Sequence, residues 1–165
     1  AVTTSSVLTA SSIKAPGTVI AYTHLNPETA GYYTLTTSFT PIYSSENKVT
    51  NVYADITFTA PSSGNVKIDF QSYFDEGASA SLTYLGISSD SSSHITIGVE
   101  YENRVLIGSR RDTMIHHSWV VTGLTADESY TYYISAKNAT PGGTLYWGGT
   151  ATGEYPPLII TATAL

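Results

Sequence analysis

The chain has 165 residues, 41% of them hydrophobic and only 12% charged, with a formal net charge of −6 and no cysteine. That length suits one domain with a core of its own, and the missing cysteines exclude a disulfide framework, thiol catalysis and thiolate-bound zinc. Seven Lys and Arg against thirteen Asp and Glu leave no basic footprint for nucleic acid, and no apolar run reaches the ~20 residues of a membrane helix.

The chain opens without a Met or a basic–apolar leader, so a processed product or a piece of something longer is expected. Ala1 to Pro16 are small and mostly uncharged, with Lys14 the single charge. They fit either an arm lying on a neighbouring subunit or plain disorder. Thr18–His24 reads as a short strand ended by Asn26-Pro27, and Tyr32–Phe39 as a second strand closed by Pro41 and Ser44–Lys48. Residues 1–50 are therefore expected to form an arm with one or two strands, and residues 51–165 the sandwich domain.

From Asn51 the period becomes two. Val52, Ala54, Ile56, Phe58 and Ala60 alternate with polar residues, and so do Val66, Ile68, Phe70, Ser72 and Phe74. With the turn Pro61-Ser-Ser-Gly64 between them, these runs are expected to pair as a hairpin. Further strands are expected at Ser81–Ile87, His94–Tyr101, Arg104–Gly108, Ile115–Thr122, Ser129–Lys137, Thr144–Gly148 and Pro157–Thr163. The separators are Ser-, Gly- or Pro-rich, and no long window has a helical period. The expected fold is all-β: a two-layer antiparallel β-sandwich of jelly-roll type.

Trp119 leads through Gly123 and Leu124 to Tyr130, a spacing that resembles the tyrosine corner of fibronectin-type sandwiches. In that corner a tyrosine hydroxyl bonds back to the chain where it crosses between sheets. The role implied for these four residues is structural.

Other segments carry a resemblance over roughly residues 17 to 165. They are Gly17–His24, Phe58–Ile68, Tyr84-Leu-Gly-Ile87, Trp119–Thr125 and above all Gly143–Tyr155 with the ending Ile160–Leu165. Together they resemble the C-terminal β-sandwich of virion proteins from marine tailed phages. The resemblance implies a non-enzymatic protein of the virion surface, at a fibre tip, spike or head decoration, with no catalytic residues to carry over. Charge is too scarce to guard the sheet edges, so a homo-oligomer is expected, with Ala1 to Pro16 suited to lie on a neighbour's edge. The resemblance implies fibre or decoration geometry, hence a trimer before a dimer, contacting other virion proteins and a host surface glycan. A stand-alone carbohydrate-binding module or lectin is the alternative, and a glycan depolymerase the second.

Chemistry is sparse. His116 and His117 are adjacent on a strand and point to opposite faces, so they cannot chelate one ion together. His117 shares its face with Ile115, Trp119 and Val121, which suits a partly buried imidazole, while His24 and His94 stand far off in sequence. The carboxylate pairs Asp75-Glu76 and Asp127-Glu128 fall at turns, while Glu100 and Glu102 fit either a shared strand face or a turn at Glu102-Asn103. No metal site, cofactor or catalytic residue is expected, and Asn138-Ala-Thr140 is read as a chance acceptor pattern.

Tyrosine is the informative residue type, with thirteen Tyr against four Phe, set among 25 Thr and 21 Ser. An outward Tyr offers a flat ring and a polar tip, which suits protein interfaces and sugar rings. The candidate ligand-binding surface is Tyr146, Trp147, Glu154 and Tyr155, with Gly148-Gly149 expected to leave the Trp147 ring exposed.

Overall fold

Alternating side chains give each strand one face for a core and one for something else, and the protein stacks two such sheets. In the computed structural model, residues 15–26, 31–44, 52–75, 81–107, 112–149 and 155–165 are described. They form thirteen strands: β1 (Val19–Leu25), β2 (Gly31–Thr34), β3 (Thr40–Pro41), β4 (Tyr43–Ser44), β5 (Val52–Tyr53), β6 (Asp55–Thr59), β7 (Val66–Asp75), β8 (Ser81–Ser88), β9 (Asn103–Ile107), β10 (Thr113–Val121), β11 (Ser129–Asn138), β12 (Thr144–Trp147) and β13 (Leu158–Ala164). All pairings are antiparallel.

The first sheet runs β1-β13-β7-β10, with β12 and β2 continuing it beside the far half of β7. The second runs β6-β11-β8-β9, with β3 beside β11 beyond β6. Those eight longer strands have the order of a jelly roll, so the chain is an all-β, two-layer sandwich of that type. Val66, Ile68, Phe70 and Phe74 of β7 face Ile56, Phe58, Leu85, Ile87 and Ile134 across the core, all at most 3% exposed.

Two expectations change here. The runs around Pro61–Gly64 alternate as read, but β6 and β7 lie in different sheets, so they form an arch and not a hairpin. Alternation is the same in both cases, because strands on either side of one core bury the same parity of residue. The segment read as an arm supplies β1 to β4, and β1 is the first strand of the roll. Leu35 and Ile42 within it are fully buried, at 1% and 0% exposure. Residues 1–14 lie outside the described residues.

A third change concerns His94–Tyr101, which is no strand beyond one bridge at Thr96; its reversal is a short 3-10 turn, Val99–Tyr101. Ser88 explains why. Its hydroxyl donates to the carbonyls of Asp90 and Ser93 and accepts from the Ile95 amide, closing residues 88–95 into a compact loop.

The corner has the geometry its spacing suggests. β10 belongs to one sheet and β11 to the other, and the Thr125 amide donates to the Tyr130 hydroxyl oxygen at 3.0 Å. Gly123 takes φ +77°. Leu124 donates its amide to the Gly64 carbonyl at 3.0 Å, so the two arches are tied together. A Cβ on Gly64 would lie 2.5 Å from the Leu124 carbonyl oxygen, which is why this turn takes glycine. Trp119 is buried, and its indole N–H donates to the Tyr101 carbonyl at 2.9 Å.

Candidate functional site: the outer face of the first sheet

Register decides which outward side chains stand side by side. On the outer face of the first sheet, Tyr22, Thr161, Asp69 and Ser118 form one row across β1, β13, β7 and β10. His24, Ile159, Gln71 and His116 form the next. The third row is Tyr32, Tyr146, Tyr73 and Met114, across β2, β12, β7 and β10. A shallow depression of about 340 Å³ lies over the β13, β7 and β10 members of the first two rows.

The rim is aromatic and the centre is polar. Tyr22 stacks on His24 at 5.3 Å between ring centroids. At the other end Tyr155 stacks on Tyr146 at 4.7 Å and touches Tyr73 at 5.1 Å, while Tyr32 leans on Tyr146 at 6.3 Å. Between them the Asp69 carboxylate takes an ion pair from Lys67 at 2.7 Å and a hydrogen bond from the Ser118 hydroxyl. Tyr73 is pushed up to about 12, first by desolvation, then by its hydrogen bond to Asp112 and that carboxylate's charge. It therefore keeps its proton, and its ring stays neutral, at any physiological pH.

Of the residues picked from sequence, the structure brings Tyr146 and Tyr155 together. Trp147 does not join them. It is fully buried, and its ring fills the space over Gly31, where a Cβ would lie 2.2 Å from the indole nitrogen. The two glycines after it do not expose it. Glu154 lies outside the described residues. Sequence reasoning missed Tyr22, His24, Gln71 and His116, whose only signal was strand parity without a partner.

The other titratable groups are accounted for singly. His117 points inward, meets Trp119 edge-on at 4.5 Å, and lies 2.9 Å from Asn103 Oδ1. Burial pushes its pKa down. Glu102 pairs with His94 at 3.2 Å rather than with a second carboxylate, and Asp127 and Glu128 are exposed in the corner turn. Among the described residues no cluster of three or more His, Asp or Glu could hold a metal ion. Asn138 is 1% exposed and accepts from Thr83 at 2.6 Å, so its amide is not offered to solvent.

No protein-family model and no curated protein matches the chain. Among solved structures it is similar to the CBM22-1–GH10 modules of Clostridium thermocellum endo-1,4-beta-D-xylanase 10B, complexed with xylohexaose. The likeness has a TM-score of 0.39 and 13% identity, over 87% of this chain and 28% of that one. At that strength it carries no functional argument.

Proposed function

We propose that this chain is a non-catalytic attachment domain that binds glycan on the outer face of its first sheet, in the setting of a virion surface. One observation carries the reading: an open sheet face with hydrogen-bonding side chains at its centre and tyrosine rings at its rim. A pyranose has an apolar C–H face that stacks on such rings and an edge of hydroxyls that suits Asp69, Gln71, His116 and Ser118. A depolymerase would need two carboxylates across a cleft, one of them with a raised pKa. The carboxylate pairs picked from sequence supply no such arrangement among the described residues. The virion setting rests on the phage-like resemblance of the sequence.

The test is a glycan array followed by titration of any hit. The double variant Gln71→Ala/His116→Ala should weaken binding roughly tenfold or more, about 1.4 kcal/mol per decade, with an unchanged melting curve. A silent array, or a variant that binds as well as the parent, overturns the glycan reading. Mass spectrometry of purified particles tests the setting: absence from every particle leaves a stand-alone lectin.

Assembly belongs to the same proposal. β10 pairs only with β7 among the described residues, and its nine residues include no Lys, Arg, Asp or Glu. A long uncharged edge invites pairing with another chain. We expect a homo-oligomer, a trimer on the analogy to phage fibres, and light scattering that returns a monomer mass overturns it.

A further inference from the structure

A second aromatic surface lies away from that face, at the margin where β2, the β4–β5 ribbon and β11 meet. Tyr32 and Tyr33 are neighbours on β2 and point to opposite sides, so Tyr33 leaves the outer face and meets Tyr43 at 5.3 Å. Tyr43 stands opposite Tyr53 in the β4–β5 pairing, at 5.8 Å, and Tyr53 reaches Tyr133 of β11 at 5.7 Å. Four rings thus form a ladder from one sheet to the other.

Three of these rings line an open groove of about 510 Å³ together with Thr36, Thr40, Pro41, Ser91 and Ser92. That volume falls within the roughly 300–1,000 Å³ of small-molecule sites. The interplanar angles are 63°, 56° and 81°, so the rings meet edge-on or tilted, and each contact covers at most one face of one ring. Tyr146 and Tyr155, at 19°, cover one face of each other.

The far rim is held in place. Asp90 Oδ1 accepts from the Ser92 amide at 2.8 Å, the Ser92 hydroxyl at 2.6 Å and the Ser93 amide at 3.0 Å. The Ser92 hydroxyl donates inward to Asp90, which leaves its oxygen able to accept from a ligand hydroxyl. Tyr33 and Thr40 are likewise fixed by a hydrogen bond between their hydroxyls. No Asp, Glu, Lys or Arg lines the groove among the described residues. A charged ligand would find no counter-charge there, whereas a neutral polyol finds ring faces and hydroxyls.

We infer that this groove is a second binding site, taking a short neutral oligosaccharide whose sugar rings stack on Tyr43 and Tyr53. It stands apart from the outer-face site and does not depend on it. Two sites on one domain, repeated in an oligomer, would raise avidity toward a polymeric glycan without any further contact.

The experiment uses the full chain, labelled for amide NMR and titrated with neutral cello-, xylo-, malto- and chito-oligosaccharides. At least one series should shift the amides of Tyr43, Tyr53 and Ser92. Thr36→Trp, which fills the groove from an exposed position and gives up only the Thr36 hydroxyl's bonds to the Ser38 backbone, should weaken that binding at least tenfold. Gln71→Ala on the outer face should leave it unchanged. Tyr53→Ala should behave like Thr36→Trp, and Thr36→Trp decides alone if Tyr53→Ala does not fold. No shift in the groove at millimolar oligosaccharide overturns the inference, as does binding that Thr36→Trp leaves intact. Shifts confined to the outer face overturn it while sparing the proposed function; shifts confined to the groove do the reverse.

Discussion

The outer faces of the two sheets start from the same material, strands rich in Tyr, Ser and Thr, and end in opposite states. On the second sheet the centre of the face is covered. Phe39 stacks on His94 at 4.5 Å, and both rings sit over Gly86, where a Cβ would lie 3.2–3.3 Å from them. Lys137 lies 4.4 Å over the Phe39 ring, and Ser88 and Ser135 beneath are 0% exposed. On the first sheet nothing comparable crosses the face among the described residues: Tyr22 and Tyr32 are 55% and 48% exposed, and His116 and Ser118 are open to solvent. A glycine in the covered sheet admits a plug, while the open sheet has long side chains at the corresponding centre. One face is filled by the protein's own side chains for that reason, and the other is left open among the described residues.

Removing one ring from each face breaks the comparison most directly. Phe39→Ala uncovers Gly86 and Ser135 and should cost roughly 2–3 kcal/mol, somewhat below the ~3–5 of a fully buried Phe. It should leave outer-face glycan binding untouched. Tyr32→Ala should cost under about 1 kcal/mol yet weaken glycan binding severalfold. Chemical denaturation read beside glycan titration checks both. Equal stability losses would mean that the two faces do not differ in kind.

A smaller effect is expected where the sheets are joined. Tyr130→Phe keeps the ring against Phe58, at 6.2 Å, and removes the acceptor for the Thr125 amide. The loss should be about 1 kcal/mol, the worth of one hydrogen bond, with binding at the open face unaltered. Denaturant midpoints for the two proteins measure it, and a difference within error would reduce the corner to ring packing alone.

Parity along a strand was legible in sequence, and so was the jelly-roll class, because period two needs no partner to be seen. What parity cannot give is which strand lies alongside. The runs flanking Pro61–Gly64 have the alternation of a hairpin and form an arch. Trp147 was misplaced because its burial depends on Gly31, a cross-strand neighbour that only the β2–β12 register identifies. The Tyr33–Tyr43–Tyr53 ladder stayed hidden because its rings come from three separate strands. Gly86 did leave a trace: a glycine inside the strand pattern Tyr84-Leu-Gly-Ile87 marks close approach of another group, and that group is the Phe39–His94 stack. Tyr130 was the easiest to read, since its hydrogen bond closes over five residues of sequence.

The smallest effect separates two neighbours, one on the open face and one in the wall beneath it. His116 is exposed, whereas His117 points into the sandwich, where burial holds its pKa below the ordinary 6.5. Asn103 Nδ2 donates to the Glu100 carbonyl at 3.3 Å, which turns its Oδ1 toward His117. A neutral His117 donates from Nε2–H to that oxygen, and protonation would add a charge to a half-buried ring against Trp119. As pH falls below about 6.5 the unfolded chain takes up this proton before the folded one does. Stability attributable to His117 therefore falls with falling pH until the folded-state imidazole also titrates, and it levels off about one unit above 6.5. The change should stay below about 1 kcal/mol, since the ring is only half-buried. His117→Gln keeps a donor for Asn103 and should flatten this part of the pH profile between about pH 7 and 5. Denaturation midpoints across that window decide it: an unchanged slope in His117→Gln would mean that burial in the wall does not hold the proton off the His117 imidazole.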